Sequence, residues 1–295
     1  MTENCTVVEA IHRLSGMEER PRPAPRLLDP YPIAARATRH LAYQALLEAA
    51  GLSDAHREAL LARGLSLEAI EQAGYASMPR GSRAGLLSKM QEAIPDLRGV
   101  PGVSHRPDRN RWRLAGAPGL LVPVRDRRGH IQACQVRSDS PGSRYQWLTS
   151  APHEPGWTGT SPGTPFHVAG QAHIRRSATW WLTEGPLKAD VTSFFVKAPV
   201  MGIPGVSLWA RVGQALSQWH PGSVILAFDQ DSSPDTRARV AQFQEQLGGL
   251  LAGVGIRVFI AHWPEGPKGI DDALQSNAKL KIDRWKPEVP GAAGI

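Results

Sequence analysis

Carboxylate side chains follow three apolar segments in the second half of the chain. They are Glu184, after residues 178–183; Asp229 and Asp231, after residues 223–228; and Asp271 and Asp272, in a loop after residues 256–262. If these segments are parallel strands, their carboxyl ends share one sheet edge, where ligands of α/β proteins bind. Asp229 and Asp231 are two residues apart, so in an extended segment both side chains lie on the same side. Such a pair can share a divalent cation, and Mg²⁺ prefers a few carboxylates with water and phosphate oxygens.

Structural roles are the alternative for these acids. Acidic residues after strands often cap helices, and Asp235 or Asp271 could do so here. Three sets of acids at one edge of a sheet are a more specific signal of a ligand site than a single acid would be. Gly185 follows the first set and lets the backbone approach a ligand. We therefore expect a metal site.

The rhythm of the chain from about residue 173 predicts the elements that must position these acids. We expect strands at 178–183, 199–203, 223–228 and 256–262, helices at 186–196, 207–219 and 234–252, and a short helix from Asp271. Strands that alternate with helices indicate a parallel sheet covered on both faces, with Trp180 and Trp181 in its core. Neither a Walker-type loop nor a GxGxxG motif follows any strand, which argues against a P-loop motor and a Rossmann cofactor site.

The middle of the chain is basic and β-rich. Its strand-like stretches are GLLVPVRD, GHIQACQVRS and RYQWLTS, with a turn at 126–129 between the first two. From residue 98 to residue 144 the sequence has ten arginines against three acids, with aromatic residues among them. Such a segment can hold phosphates and stack on bases, or it can be a solvated arginine-rich face. The net charge of +7 and the pI near 9.8 agree with a polyanionic partner.

The first third of the chain is predicted to be a flexible arm followed by helices. Residues 1–38 carry five prolines and little periodic pattern, which is typical of a mobile segment. Residues 39–97 contain three short helical segments, each ending at a glycine. This helical module could read nucleic acid or act as a spacer. We place the basic β-rich subdomain at 98–172, the α/β domain at 173–283 and a tail at 284–295.

Composition argues against several classes of protein. The sequence has no run of about 18 apolar residues and no signal-peptide pattern, so we expect a cytoplasmic protein that does not insert into a membrane. Cys5 and Cys134 are the only cysteines, too few for a disulfide framework or a cysteine-rich zinc ribbon. We therefore expect no bound zinc.

Three of these motifs resemble those of a known domain. The stretches TEGPLKAD, AFDQD and KGIDD are similar to the glutamate motif, the DxD motif and the terminal acidic motif of the Toprim domain, over about residues 173–283. DnaG-type primases, topoisomerases and some nucleases share that domain. Upstream, LLVPVRDRRGHIQACQVR followed by SRYQWLTS resembles the segment that precedes Toprim in bacterial primases. The KGIDDAL variant and the helical module most resemble Toprim proteins of plasmids, phages and integrated elements.

The resemblance implies a Mg²⁺ or Mn²⁺ site and a set of catalytic residues. The expected metal ligands are Glu184, Asp229, Asp231, Asp271 and Asp272, and the expected catalytic residues are Glu184, Lys188, Asp229 and Asp231. Glu184 could complete the metal site or act as a general base. Lys188 lies one turn into a helix that begins at the same edge, where the helix dipole and the ammonium both favour phosphate. Asp190 could bind a second metal, or fix Lys188 or an arginine through a salt bridge.

The resemblance also implies residues that contact nucleic acid or nucleotide. Arg125, Arg137 and Arg144 stand at the basic positions of the upstream segment. The full expected set is Arg111, Arg113, Arg125, Arg137, Arg144, Tyr145 and Lys188.

The implied function is that of a Toprim DNA primase or primase-like nucleotidyltransferase. It would use nucleoside triphosphates to make short primers on single-stranded DNA, in the replication of a plasmid, phage or integrated element. We find no counterpart of the primase zinc-binding module and no helicase segment, so any helicase partner would be a separate protein. A metal-dependent Toprim nuclease and a non-catalytic single-strand-binding replication factor are the alternatives. A topoisomerase is disfavoured because the four tyrosines lie in no context typical of its nucleophile.

Overall fold

The structure is a computed structural model that describes residues 27–140, 145–151, 154–230 and 233–287. Two principal β-sheets with helices packed on them form this part of the protein. The mixed α/β class expected from the sequence is confirmed, because the larger sheet contains parallel strands flanked by helices. Within these ranges no helix combines the length and the apolar character needed to cross a bilayer.

The first half of the chain supplies the first sheet and its helices. In chain order the elements are α1 (Arg36–Ala50), α2 (Asp54–Leu61), α3 (Leu67–Ala73), β1 (Ala76–Met78), α4 (Ala84–Ala93), β2 (Val103–Arg106), β3 (Arg111–Leu114), β4 (Gly119–Arg125), β5 (Ile131–Ser138) and β6 (Tyr145–Trp147). An antiparallel sheet has the order β1-β4-β5-β6, and β2 pairs with β3 in a separate ribbon. Serine caps start α2 and α3 as the sequence indicates, since Ser53 and Ser66 each accept a hydrogen bond from the backbone of the helix.

The predicted helical module shares a core with the first sheet. Tyr43 and Leu46 of α1 and Met90 of α4 lie in one buried cluster with Leu121 of β4. Strand β1 also joins this sheet by pairing antiparallel with β4. Helices α1 and α4 are therefore packed into the β-rich subdomain. Leu60, Leu65 and Ile70 instead lie in a cluster that also contains Leu187 and Val191 of the second half of the chain.

The chain before α1 is fixed to the body of the protein. The Thr158 hydroxyl donates to the Asp29 carbonyl at 2.6 Å, and the backbone N–H of Tyr31 donates to the Gly159 carbonyl at 2.8 Å. The predicted flexible arm over residues 1–38 is therefore wrong for residues 29–38, which carry these long-range hydrogen bonds and the start of α1. Residues 1–26 lie outside the described residues.

The second half of the chain supplies the second sheet. Its elements are β7 (His167–Ala169), β8 (Thr179–Glu184), α5 (Pro186–Val196), β9 (Val200–Ile203), α6 (Trp209–Trp219), β10 (Ser223–Leu226), α7 (Pro234–Gly253), β11 (Arg257–His262), α8 (Ile270–Gln275) and β12 (Lys281–Arg284). The strand order is β12-β11-β10-β8-β9-β7. Strands β8 to β11 are parallel, and β7 and β12 are antiparallel at the two edges.

Helices cover both faces of the second sheet, as predicted. Leu182 and Leu226 lie in a buried cluster with residues of α6 and α7. Trp181 and Ile225, which precede them in the same strands, lie in a second cluster with residues of α5 and α8. Successive strand residues point to opposite faces, so this apolar stretch is buried on both sides. Trp180 is also buried, so the prediction that both tryptophans belong to the core is confirmed.

Residues 284 and 285, which were predicted to begin the tail, are packed against the second sheet and its helices. Strand β12 pairs with β11, and the N–H of Trp285 donates to the Val258 carbonyl at 3.0 Å. The Trp285 ring packs against Gly248 of α7, where any β-carbon would overlap it. The α/β body therefore extends to Trp285.

Candidate active site

The carboxyl edge of the parallel strands positions Glu184 and Lys188. Strand β8 ends at Glu184, and Gly185, with φ of 72°, turns the chain into α5. The N–H of Gly185 donates to the Ile203 carbonyl at the end of β9, at 2.8 Å. Pro186 is the first residue of α5, where its missing N–H removes no helical hydrogen bond. Lys188 consequently lies in the first turn of a helix that starts at this edge.

A cleft of about 640 Å³ lies at the same edge, between the two sheets. The second sheet and its loops line it with Glu184, Lys188, Asp229, Asp271 and Asp272, and the first half of the chain lines it with Arg63, Gln135, Tyr145 and Trp147. The structure thus brings together four of the five predicted acids with Lys188 and Tyr145. The fifth acid, Asp231, lies outside the described residues.

The Lys188 ammonium lies between two carboxylates. It forms an ion pair with Asp229 and lies 3.9 Å from Oδ1 of Asp271. The side chains of Lys188 and Asp229 are 17% and 18% exposed, and that of Asp271 is 6% exposed. Solvent therefore screens these charges less than it screens surface charges.

Asp271 is held by a cation from the first half of the chain. Its Oδ2 accepts a hydrogen bond from Nη1 of Arg63 at 3.0 Å, whereas its buried Oδ1 has no hydrogen-bond partner among the described residues. Burial raises the pKa of Asp271, Lys188 and Arg63 oppose the shift, and Asp272 adds to it. A buried acceptor without a hydrogen-bond partner costs about 1–3 kcal/mol. The Lys188 ammonium, 3.9 Å from Oδ1, offsets part of this cost.

Backbone contacts fix the two acidic loops relative to each other. The N–H of Gln230 donates to the Lys268 carbonyl at 3.0 Å. A β-carbon at Gly269 would lie 2.8 Å from Nζ of Lys188 and would overlap the Asp271 carboxylate. A side chain at 269 would therefore displace the Lys188 ammonium or the Asp271 carboxylate from its present position.

The donor atoms of the acids suit a hard cation. Carboxylate oxygens are the ligands that Mg²⁺ and Mn²⁺ prefer. Among the described residues no group of three or more histidine, cysteine, aspartate or glutamate side chains is close enough to hold a metal ion. Asp229 and Asp271 are the two acids that the structure places around one point, the Lys188 ammonium. Mg²⁺ commonly binds one or two carboxylates and fills its other positions with water and phosphate oxygens, so this pair fits it.

Arg63, like Gln135 and Trp147, lines the cleft and was not among the predicted site residues. It follows α2 in a turn that is bound to the second half of the chain, where the Gln275 amide donates to the Ala62 carbonyl. Arg63 and Asp271 are 208 residues apart in sequence. The only local signal was an arginine between a helix end and a glycine, which does not identify its partner.

Of the predicted nucleic-acid contacts, Tyr145 lines the cleft and Arg137 lies beside it. Arg137 is exposed on β5, and it pairs in register with Tyr145 on β6. Burial raises the pKa of Tyr145, while the nearby Arg63 and Arg137 oppose the shift. Arg144 lies outside the described residues.

The other three predicted arginines are not among the residues that line the cleft. The guanidinium of Arg125 donates to the carbonyls of Ala73, at 2.9 Å, and Gly129, at 3.2 Å, so its observed role is structural and its expected nucleic-acid contact is not supported. Arg113 forms an ion pair with Glu154 at 2.8 Å. Arg111 is exposed on the separate β2-β3 ribbon.

Asp190 has a structural role, with partners other than those predicted. Its Oδ1 lies 3.0 Å from Nε2 of His167, and its Oδ2 accepts a hydrogen bond from the Tyr75 hydroxyl at 2.6 Å. Nδ1 of His167 accepts from the backbone N–H of Arg125, so a neutral His167 carries its proton on Nε2 and donates it to Asp190. Asp190 therefore ties α5 to both halves of the chain, and the predicted contact with Lys188 or an arginine is replaced by these two hydrogen bonds.

Comparison with known proteins places the chain among primase-like folds. A family profile described as a domain of unknown function, DUF3854, matches residues 172–281. No curated protein sequence gives a significant match.

Three of the similar solved structures are primase fragments. The zinc-binding and RNA polymerase domains of Aquifex aeolicus primase align with a TM-score of 0.60 and 14% identity, over 84% of this chain and 63% of that one. A DnaG primase catalytic domain bound to single-stranded DNA aligns with a TM-score of 0.59 and 18% identity, over 83% and 80%. The RNA polymerase domain of Mycobacterium tuberculosis DnaG gives 0.58 and 18%, over 82% of each chain. This chain therefore has the fold of a primase catalytic core and spans less than two thirds of the Aquifex chain.

Proposed function

We propose that the protein is a primase-like nucleotidyltransferase with a Toprim-type active site, which joins nucleotides into short primers on single-stranded DNA. The observation that carries the proposal is the cleft in which Asp229, Asp271 and Lys188 face Arg63 and Tyr145 across two sheets. The fold supports it, because primase catalytic cores align over more than four fifths of the chain. One of those cores was solved with single-stranded DNA.

The proposed reaction forms one ester bond and breaks one anhydride bond. The 3′ hydroxyl of the primer attacks the α-phosphate of a nucleoside triphosphate, and pyrophosphate leaves with the electrons of the broken P–O bond. The hydroxyl must also lose its proton. Glu184 lines the cleft at the end of β8, where its carboxylate either accepts that proton or binds a cation.

We propose Mg²⁺ or Mn²⁺ as the cofactor, held by Asp229 and Asp271 with Glu184, Asp231 and Asp272 as further ligands. Such a cation would lower the pKa of the attacking hydroxyl and screen the charge on the phosphates.

Cationic side chains of the chain itself would hold the nucleotide and the template. Lys188 lies at a helix start, and its ammonium can move from Asp229 to a phosphate oxygen. Arg63 lies on the opposite wall, where it keeps Asp271 in place. Tyr145 offers a ring for base stacking, and Arg137 and Arg144 would contact template phosphates.

A metal-dependent nuclease is the second candidate, because the same acids could activate water in place of a sugar hydroxyl. The aromatic wall formed by Tyr145 and Trp147 favours synthesis, since it gives a template base a surface opposite the acids. The context of a plasmid, phage or integrated element, with a separate helicase, belongs to the same proposal and is supported by the resemblance of the KGIDDAL motif and the helical module.

The test is incubation of the full chain with single-stranded DNA, labelled nucleoside triphosphates and Mg²⁺ or Mn²⁺. We expect short labelled products with an intact template. Asp229→Asn should abolish the products and leave DNA binding within a few-fold, because it removes a metal ligand and no phosphate-contacting cation.

The matched control is Asp283→Asn, the same substitution on the edge strand β12, where Asp283 pairs with Lys281 at 2.8 Å. This variant should keep wild-type synthesis. A shortened template without products would favour the nuclease, and full synthesis by Asp229→Asn would overturn the assignment of the site.

A further inference from the structure

A second cleft, of about 730 Å³, is strongly basic. The arginines that line it are Arg36, Arg39, Arg127, Arg128 and Arg211. Asp126 is the only acid among the described residues of its lining, which also includes Phe166 and Trp219. We call these residues the basic cleft.

Two guanidinium groups of the basic cleft are held against aromatic rings. Arg127 lies over Trp219, 5.7 Å from the ring centroid, and Arg211 lies over Phe166 at 5.2 Å. Arg211 also donates to the Thr164 hydroxyl at 2.6 Å. Stacking on a ring orients a guanidinium and leaves N–H groups at its edge for an anion. Arg127 and Arg211 are exposed, so these groups are accessible.

The single acid of the cleft already has partners within the protein. Asp126 pairs with Arg36 at 2.9 Å and accepts hydrogen bonds from the backbone N–H groups of Arg128 and His130. The negative charge of Asp126 thus interacts with three donors. The positive charges of the cleft arginines outnumber this single negative charge. Burial lowers the pKa of Arg39, Tyr43 and Asp126 oppose this shift, and Arg36 adds to it.

The positive surface continues beyond the basic cleft. A neighbouring depression of about 510 Å³ shares Arg127 and Arg128 and adds Arg175 and Arg176. All four of these side chains are exposed. A run of arginines across two depressions is too extended for one phosphate group and suits a chain of phosphates.

The basic cleft lies at the edge of the second sheet opposite the candidate active site. Trp219 ends α6 and contacts Trp180, with ring centroids 5.2 Å apart. Trp180 is near the start of β8 and Glu184 is at its end. Four residues of strand separate them by about 13 Å. The 126–130 turn and Arg137 are likewise at opposite ends of β5.

We propose that the basic cleft binds the phosphodiester backbone of a nucleic-acid strand, as a site separate from the candidate active site. The partner follows from charge complementarity and from the extended shape of the arginine surface. The proposal does not depend on primer synthesis, since a strand bound here is remote from Asp229 and Asp271.

The first test measures how salt changes the affinity of the full chain for a fluorescent single-stranded DNA of about 20 nucleotides. Each phosphate contact to a single strand contributes about 0.7 to the slope of log affinity against log salt concentration. Arg127→Ala combined with Arg128→Ala should lower the slope by about 1.4 and weaken binding by about 25-fold in 0.1 M salt. Arg175→Ala combined with Arg176→Ala should act in the same direction. Labelled RNA and duplex DNA of equal length then show which strand type the cleft prefers.

The matched control removes two arginines that each pair with an acid of their own. Arg57 pairs with Asp54, and Arg98 pairs with Asp96 at 2.6 Å. Arg57→Ala combined with Arg98→Ala removes the same formal charge and should keep the slope within a few tenths. Equal losses in the control would overturn the proposal, because the effect would then come from net charge alone.

The second test locates the strand by photocrosslinking with 5-iodouracil, which couples to nearby aromatic rings. We expect crosslinks on the peptides that contain Trp219 or Phe166, and we expect them to persist in Asp229→Asn. Crosslinks confined to Tyr145 and Trp147, with an unchanged salt slope in both arginine pairs, would overturn the inference. Crosslinks at Trp219 in a protein that makes no primers would support it while the proposed function fails.

Discussion

Asp271 and Arg63 show how one residue pair can join two halves of a chain at the candidate active site. Asp271 is buried beside Lys188, and its carboxylate is held by a guanidinium that arrives from the helical region. The contact involves Oδ2 and leaves the buried Oδ1 without a hydrogen-bond partner among the described residues. In the proposed reaction Arg63 is therefore a positioning residue, because it contacts Asp271.

Arg63→Ala should lower the turnover number of primer synthesis by at least tenfold and destabilise the fold by about 1–3 kcal/mol, through loss of a hydrogen bond to a buried charge. It should also raise the pKa of Asp271, because Arg63 favours the ionised form. The acidic limb of the pH–rate profile should then move to higher pH. Arg63→Lys should restore part of the activity and should return the acidic limb of the pH–rate profile part of the way to its wild-type position. An acidic limb that stays at its wild-type pH in Arg63→Ala would contradict the positioning role.

The raised pKa of Asp271 predicts a stability change with pH. Because burial raises its pKa in the folded protein, the folded state takes up a proton at a higher pH than the unfolded state does. The free energy of unfolding should therefore rise as pH falls from neutral through this raised pKa, and should level off at the ordinary pKa of an aspartate, about 3.9. The measurement is Tm against pH for the wild type and Asp271→Asn. The wild-type Tm should gain on that of the variant as pH falls, and parallel curves would contradict the prediction.

The acids of the cleft could be predicted from sequence because strand ends and motif spacing are local features. Asp229 and Asp271 are examples, since each follows a strand whose apolar pattern is readable. The roles of arginines could not be predicted in this way. Arg125 occupies the expected position in a basic segment, yet its guanidinium completes backbone hydrogen bonds, and only the packing of α3 against the β4-β5 turn decides this.

At the scale of elements, the long helices and parallel strands were predictable and the short pieces were not. Helix α5 has the predicted bounds, because its apolar run, Pro186 start and packing all agree. Strands β1, β7 and β12 have three or four residues, too few for an alternating pattern to identify them. They are fixed by pairing with β4, β9 and β11, which is long-range information.

The turn between α2 and α3 is an element whose docking can be tested. Gly64, with φ of 85°, follows Arg63, and a β-carbon there would lie 2.7 Å from the Phe195 ring of α5. Gly64→Ala should destabilise the fold by about 2–4 kcal/mol, from left-handed backbone strain and this overlap, and should lower synthesis by displacing Arg63. Gly255→Ala is the matched control, with φ of 82° and no atom within 4 Å of the added carbon. Gly255→Ala should lower Tm only by the amount that left-handed backbone strain causes, and it should keep full activity. Equal losses of Tm and of activity in both variants would show that the turn does not dock as described.

At the scale of the whole molecule, charge is divided between two edges of the second sheet. The acids with Lys188 occupy the carboxyl edge, and the arginines around Trp219 occupy the amino edge. The sequence predicted the basic character of the middle segment. It could not predict this division, because Arg211 and Trp219 reach the basic cleft from α6, far from the other arginines in the chain.

This division predicts that the affinity for single-stranded DNA depends on strand length. An oligonucleotide of about 6 nucleotides can occupy one site at a time, whereas one of about 30 can contact both, so binding at the second site becomes intramolecular. Two pairs of substitutions test this: Arg137→Ala with Arg144→Ala, the pair proposed to contact template phosphates, and Arg127→Ala with Arg128→Ala in the basic cleft. For the long strand each pair should reduce the salt slope by about 1.4, and all four together should reduce it by about 2.8.

For the short strand either pair alone should leave the other site to bind, so the slope should change little until both pairs are removed. Fluorescence anisotropy over a salt series measures these slopes, with Arg57→Ala combined with Arg98→Ala as the control, because each of these arginines pairs with its own acid. If the long strand lost its slope only with the Arg137 and Arg144 pair, a single continuous site at the carboxyl edge would account for all binding.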